Sequence, residues 1–447
     1  MTVTAADTSS SGRRPRAVTT RGRRRALALL ATTLGATLGL GGCGGGTDAR
    51  DARLRLVNAS IDFGALDLVV DDKLVRSAVA YGGSADYAGV DTSDTATRIS
   101  RAGSPAALVS LRPALADGDR YSIVAYGGEG TLRAAVLDDN ASEPARGKAR
   151  LRVLNGAPDA GAVDVYLTAP GVDLADAEPL HAAAEVGNPT DFTTVDAADW
   201  RVRVTAAGDK ADLRLDLGGV ALAGRQIATL VITPGAGGVL VNALVLTQGG
   251  PVLALTGAQA RVRVVAGVTG SGNVTAAVGG VALMNGVGAP AIGLYRLVPA
   301  GAAAATLTVD GAAVAVPATD LAPGSDHTLL VRGSAAAPVA HWVADDNRLP
   351  TVSGRVKLRL LNGVADLAEP LALTLDFTPL ADGVAAGRAS APALADASTQ
   401  ARLSVTAAGI GAPLFDAVEQ LLLADRVYTL FVLGAAGAPA GILYRDR

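Results

Sequence analysis

Four stretches of the chain open on one alternation of polar and apolar residues: "ARLRLVNAS" from Ala52, "ARLRVLNGA" from Ala149, "ARVRVVAGV" from Ala260 and "VKLRLLNGV" from Val356. Side chains along a strand point alternately to its two faces. Leu54 and Leu56, Leu151 and Val153, Val262 and Val264, and Leu358 and Leu360 therefore share an apolar face. Arg53 and Arg55, Arg150 and Arg152, Arg261 and Arg263, and Lys357 and Arg359 share the other. This is the pattern of a half-buried strand whose long cations solvate an outer face and blunt a free edge. A basic stripe for an anionic polymer is the competing reading. The starts lie 97, 111 and 96 residues apart, too long for a solenoid repeat and suited to separate small modules.

Each repeat also closes alike. "RYSIVAYGG" from Arg120 precedes "TLRAAVL", "QIATLVITPG" precedes "VLVNALVL", "HTLLVRG" precedes "VAHWVA", and "YTLFVLG" precedes "AGILY". Two β-rich runs around a glycine-rich turn predict a closing hairpin. Further strands fall between, as at "WRVRVTAAG" from Trp200 and "ARLSVTAAG" from Ala401, and short helices or turns are expected at 175–185 and 392–399. The fold class that follows is all-β: about four tandem antiparallel β-sandwich modules, immunoglobulin-like in architecture. The repeats take residues 52–145, 146–250, 258–350 and 354–447.

The residues ahead of the repeats follow another logic. Seven arginines and one acid, Asp7, lie in the first 25 residues, followed by the apolar run "ALALLATTLGATLGLGG" at 26–42. A charged start, a short apolar stretch and small residues at its end make a signal peptide over 1–42, too short for a membrane span. Leu40, Gly41, Gly42 and Cys43 resemble the bacterial lipobox, whose cysteine is diacylated and heads the mature chain. That implies a lipid on Cys43, a glycine-rich tether over 43–51, and anchorage to the cell envelope. Gly44 in the next position, where an aspartate would retain the protein, implies the outer membrane.

Removing the signal shifts the charge. Of 39 basic and 42 acidic residues, 32 and 41 remain, a net charge of −9. Dispersed negative charge excludes nucleic acid as partner and opposes the basic-stripe reading. Cys43 is the sole cysteine, so no intramolecular disulfide can form and each module depends on its apolar core.

The second repeat, "RLRVLNGAPDAGAVDVYL" from Arg150, resembles the bacterial domain of unknown function 4397 family. That family shows an arginine-alternating strand, an Asn or His, a small pair, Pro-Asp, and Val-Asp-Val-Tyr. Asn155, Pro158, Asp159, Val163, Asp164 and Tyr166 stand at those places. Repeat 1 keeps Asn58, Asp62 and Asp67, with Ile61 for the proline; repeat 4 keeps Asn362 and Asp366, with Leu371 for the second aspartate. Repeat 3 has Ala266, Gly270 and Thr275 and rests on its flanking strands. The resemblance is good over about 50–250 and weaker from 258. It implies exported, often tandem β-domains with no established activity.

Candidate chemistry is sparse. "LDDN" at 137–140 and "ADDN" at 344–347 place Asp138 and Asp139, and Asp345 and Asp346, at the ends of repeats 1 and 3 as candidate Ca²⁺ ligands. Neighbouring strand residues diverge and no Asp-x-Asp-x-Asp-Gly loop follows, which favours polar turn caps. Asp159 reads as a turn former and Asp164 as a cross-strand acceptor. His327 and His341 fall roughly opposite in the repeat 3 hairpin, and with Asp345 would form a weak zinc site; otherwise they are an incidental pair beside Trp342. No Gly-x-Ser-x-Gly, P-loop or His-Glu-x-x-His occurs, and Gly39-x-Gly41-x-x-Gly44 straddles the signal cleavage site. The expectation is a non-enzymatic envelope protein without cofactor, structural or interacting with an envelope protein or glycan. The alternatives are an adhesion module for carbohydrate or extracellular protein and, further off, a hydrolase with a cryptic site.

Overall fold

The computed structural model describes residues 51–93, 95–270 and 272–447. The signal segment, the tether and Cys43 lie outside the described residues. In module 1 the opening alternation forms β1 (Asp51–Asn58), followed by β2 (Ala65–Val70), β3 (Lys73–Ala80), β4 (Ala88–Asp91), β5 (Thr97–Arg101), β6 (Ala107–Leu111), β7 (Arg120–Tyr126) and β8 (Arg133–Asp138). They build two sheets, ordered β4-β1-β7-β8 and β3-β2-β5-β6. Leu54, Leu56, Leu66, Leu68, Ile99 and Ile123 close the core between them. Burial of each such side chain contributes about 1.5–3 kcal/mol, and this replaces any covalent staple.

The plan recurs. The opening strands Lys148–Asn155, Gln259–Ala266 and Arg355–Ala365 each lie beside the first strand of a closing hairpin. The four closing hairpins form as the sequence predicts. In module 2 the first sheet gains Val252–Leu255, a stretch the sequence reading left between repeats. Where short helices or turns were expected, a turn leads into strand His181–Ala184, and Ala393–Asp396 pairs with the opening strand of module 4.

The all-β tandem sandwich stands, with one refinement. β1 runs parallel to β7, and the same holds for the three counterparts. The chain leaves β1, builds the other sheet and returns to lie alongside in the same direction, the long crossover that parallel pairing demands. β8 then runs back antiparallel, so module 1 begins and finishes at one end of the same sheet, as do modules 3 and 4, while in module 2 the added strand Val252–Leu255 carries the chain back to the other end.

The opening strand is therefore interior, flanked on both sides, and its second face is covered too. Val57, Val124, Tyr126 and Leu137 of module 1 pack against Leu154, Val231, Leu244 and Leu246 of module 2. Val265, Leu330 and Val343 of module 3 meet Leu361, Phe431 and Leu433 of module 4. This overturns the expectation of solvated arginines on an edge: Arg55, Arg152, Arg263 and Arg359 are 2, 8, 0 and 4% exposed. Only the first cation of each strand nears the margin, and in module 4 even Lys357 is buried.

Candidate functional site

Buried guanidinium groups must find carboxylates and carbonyls, because an unpaired charge in the interior costs several kcal/mol. In modules 3 and 4 they do so reciprocally. Arg263 donates Nε–H to Thr328 Oγ1 (2.9 Å) and Nη1–H across the junction to Asp446 Oδ1 (2.5 Å). Arg359 donates to Thr429 Oγ1 (2.9 Å) and back across to Asp345 Oδ1 (2.6 Å). Thr328 and Tyr295 donate to Asp345 Oδ2 at 2.6 Å each, and Thr429 donates to Asp446 Oδ2. Two arginines and two aspartates close a neutral ring, with the Arg263 guanidinium 4.5 Å from the Tyr295 ring centroid.

The electrostatics follow from this pairing. Burial alone would raise Asp345, but Arg359 and Arg263 hold it below the usual carboxylate range. Burial works against both arginines as well, yet they lie above the usual guanidinium value because of the carboxylates of Asp345 and Asp446. Tyr295 itself is pushed well up, by burial first and then by Asp345.

Modules 1 and 2 repeat the design with one part changed. Arg55 donates to Ser122 Oγ (2.7 Å), Gly250 O (2.7 Å) and Thr247 O (3.0 Å). Arg152 donates to Thr229 Oγ1 (2.9 Å) and Asp138 O (2.9 Å). Both share one carboxylate, Asp139, at 3.7 and 3.9 Å. Asp139 Oδ2 also accepts from Tyr87 (2.6 Å) and Ser122 (2.5 Å). Tyr87 is pushed up to about 12, by burial first and then by that carboxylate.

Strand register explains the difference. Ser122, Thr229, Thr328 and Thr429 face Leu137, Leu246, Val343 and Tyr444 across their hairpins. Two residues further on stand Asp139, Gln248, Asp345 and Asp446, so module 2 carries an amide where the others carry a charge. Burial pulls Arg152 below the usual guanidinium value, with Asp139 and Asp138 opposing.

The candidate calcium ligands take their places here. Asp139 and Asp345 are counter-ions to arginine, 5 and 6% exposed. Asp138 accepts from Asn140 N (2.7 Å) as a turn cap, and Asp346 pairs with Arg348 (3.0 Å) and Lys357 (3.0 Å). The written motifs align Asp138 with Asp345, whereas register aligns Asp139 with Asp345, a slip of one residue that changes the face. His327 pairs with Ala344, and His341 with Leu330. The odd offset puts the histidines on opposite faces, so the expected juxtaposition does not form. His327 stacks edge-on to Trp342 at 6.3 Å, while His341 accepts from Arg332 Nε (3.3 Å). No group of three or more metal-binding side chains occurs among the described residues.

The motif residues of the openings hold turns. Asn155 accepts from Ala157 N (3.1 Å) and donates to Gly161 O (2.7 Å) and Ala184 O (3.0 Å), and Asn58 and Asn362 make matching bonds. Asp164 accepts from Ala183 N (2.8 Å) and Gly208 N (2.9 Å), as Asp67 does from Ala78 N and Gly103 N. Both alanines have positive φ, 47° and 53°, so the carboxylate secures a left-handed bulge that L-residues disfavour. By register the counterparts are Thr275, facing Thr308, and Ala372, facing Thr406, rather than Leu371.

The four modules lie in one compact unit and meet at a polar hub. Arg348 pairs with Asp62 of module 1 (3.3 Å), Asp159 of module 2 accepts from Leu349 N (2.7 Å), and Arg447 donates to Gly238 O (2.5 Å). Burial raises Asp159, against Leu349 N–H and three cations, and lowers Arg447 to about 10. Asp159 is thus a bridge between modules as well as part of the Pro158–Ala160 turn. A cleft of about 540 Å³ opens beside the hub, lined by Asp62, Glu129, Asp159, Arg348 and Lys357 among others. The burial of the second arginine and the hub escaped sequence reasoning; the recurrence of Arg immediately before the strand's last apolar pair was the signal for the first, and the hub had none.

Fold and junctions together define a repeat protein of tandem β-sandwiches joined in pairs by arginine–carboxylate clasps. The family model for "Domain of unknown function (DUF4397)" matches residues 52–166 and 260–369, and the chain belongs to that family. Each match covers the first module of a pair and the opening of the second, so the later half, where the resemblance read as weaker, carries a match too. No curated protein matches. Among solved structures, "The Bacillus anthracis TIE protein" aligns over 67% of this chain and 53% of that chain, at 9% identity and a TM-score of 0.14. This chain thus spans about half the length of that one.

Proposed function

We propose that this is a non-enzymatic, lipid-anchored protein of the cell envelope, with a structural or interaction role. The observation that carries the role is the clasp. The second arginine of the opening strand, buried in every module, reaches across a junction in each case, so this shared element serves to build a multi-module body. Support for the anchor comes from the lipobox-like residues ending in Cys43 after an arginine-rich, apolar leader. Among the described residues no helix is long and apolar enough to cross a membrane, so membrane attachment on this reading rests on the lipid.

The test is metabolic labelling with a palmitate analogue in the native host. Wild type should label and Cys43→Ala should not; equal labelling of both refutes the anchor.

The cleft at the hub favours a second reading, a surface module that binds a carbohydrate or an extracellular protein. Its walls combine carboxylates and cations with Pro158, Pro234, Pro350 and Pro392, a mixed polar and apolar lining suited to recognition. A glycan array with the intact protein, compared with Arg348→Ala, separates the two: binding lost in the variant supports recognition at this cleft.

A further inference from the structure

The two junctions are built from the same parts, yet they are not equivalent. In modules 3 and 4 each arginine has its own carboxylate in the opposite module, at 2.5 and 2.6 Å. In modules 1 and 2 both arginines lean on Asp139 at 3.7 and 3.9 Å, and their remaining donors go to backbone carbonyls. The first set sums to zero charge and the second to one surplus positive charge.

We infer that Gln248 makes the junction between modules 1 and 2 a joint with play in it, while the closed ring holds modules 3 and 4 in one arrangement. Three further observations support this. The Gln248 side-chain oxygen is buried without a hydrogen-bond partner, whereas Asp446 at the same register accepts from both Thr429 and Arg263. A solvent cleft of about 490 Å³ borders Arg55, Tyr87 and Gly250, giving water a path to the edge of this junction. The apolar cluster across modules 1 and 2 is also the larger of the two, so this junction relies on the less directional force. Apolar contact tolerates sliding and rotation, whereas short charge-assisted bonds lose their strength as soon as donor and acceptor shift. Greater apolar adhesion and looser geometry are therefore compatible.

The direction of the play follows from the bonds. Arg55 crosses to the carbonyls of Thr247 and Gly250, and Arg152 to the carbonyl of Asp138, so modules 1 and 2 can shift along these strand ends while the donors exchange among neighbouring carbonyl oxygens. Arg263 reaches a carboxylate across its junction, and Arg359 reaches Asp345 as well as the carbonyl of Ala344 (3.2 Å), so on that side short carboxylate bonds fix the register that carbonyls alone would leave open.

Pulsed electron–electron distance measurements on the full chain test this. The chain has one cysteine, so a Cys43→Ser background accepts spin labels at chosen exposed sites: Leu74 and Ala211 for modules 1 and 2, Ala282 and Thr378 for modules 3 and 4. The expected distance distribution is broader for the first pair than for the second. Gln248→Asp, which restores the missing carboxylate, should narrow the first distribution to the width of the second, and Asp446→Gln should broaden the second. Equal widths in the unmodified ring background overturn the inference, as does a first distribution that Gln248→Asp leaves unchanged. Circular dichroism on each variant separates loosening from unfolding: a folded Gln248→Asp variant suffices for the decision even if Asp446→Gln fails to fold.

Discussion

Asp345→Asn should be among the most damaging conservative substitutions in the second half of the chain. The side chain is fully buried and receives Arg359, Thr328 and Tyr295. The amide retains shape and an acceptor oxygen but removes the charge that compensates Arg359. Breaking a buried pair by removing one partner costs about 3–5 kcal/mol. For a unit of about 190 residues, each kcal/mol lowers the unfolding midpoint by about 2–4 °C, so a drop on the order of 10 °C is expected. Differential scanning calorimetry of the intact chain reads this as a lowered unfolding midpoint. A companion, Arg359→Met with Asp345→Leu, should recover most of the loss, because replacing both charges with apolar groups is often neutral. A shift under about 2 °C for Asp345→Asn, or a double variant no better than the single, would refute the account of the ring. The same carboxylate has a pH signature. Its folded value is depressed, so its contribution is present above the unfolded carboxylate range and disappears as pH falls below about 4 through the folded value.

Other outcomes are as specific. Asn155→Ala leaves two carbonyls and one amide of the turn without partners and should cost about 1–3 kcal/mol in urea unfolding. Ala183→Gly relieves a positive φ and should stabilise by about 0.5–1 kcal/mol, while Gly387→Ala, at φ 77° and with a Cβ 2.7 Å from the His341 ring, should destabilise. All three histidines have values lowered chiefly by burial, so folding opposes their protonation and urea midpoints should fall as pH drops from 7.5 to 5.5; a flat profile would count against their burial.

The repeats, their opening strands and their closing hairpins were legible because each is a local pattern. What lay beyond local pattern was misread in informative ways. Arg55 and its counterparts looked solvent-facing because a strand's period tells which residues share a face, not what covers it. In the sequence Asp138, Asp139, Asp345 and Asp346 read together as candidate ligands or turn caps, whereas register makes Asp139 and Asp345 the counterparts that face arginine, because it decides which face a residue joins. His327 and His341 failed for the same reason, by an offset of an odd number of residues. The roles of Asp159 and Arg447 at the hub depend on all four modules meeting, which no single repeat encodes.

The shared end at which modules 1, 3 and 4 begin and finish has a consequence for how such chains grow. A stretch of gene whose product starts and stops at one place can be copied into a line of modules without rerouting its neighbours. The arginine on the outer face adds a condition of parity: a solitary newcomer would hold its guanidinium and apolar residues against water, whereas a duplicated couple covers its own. Lengthening by twos is the step this architecture permits most readily, and the two family matches, each starting at the head of a couple, fall where such a duplication would leave them.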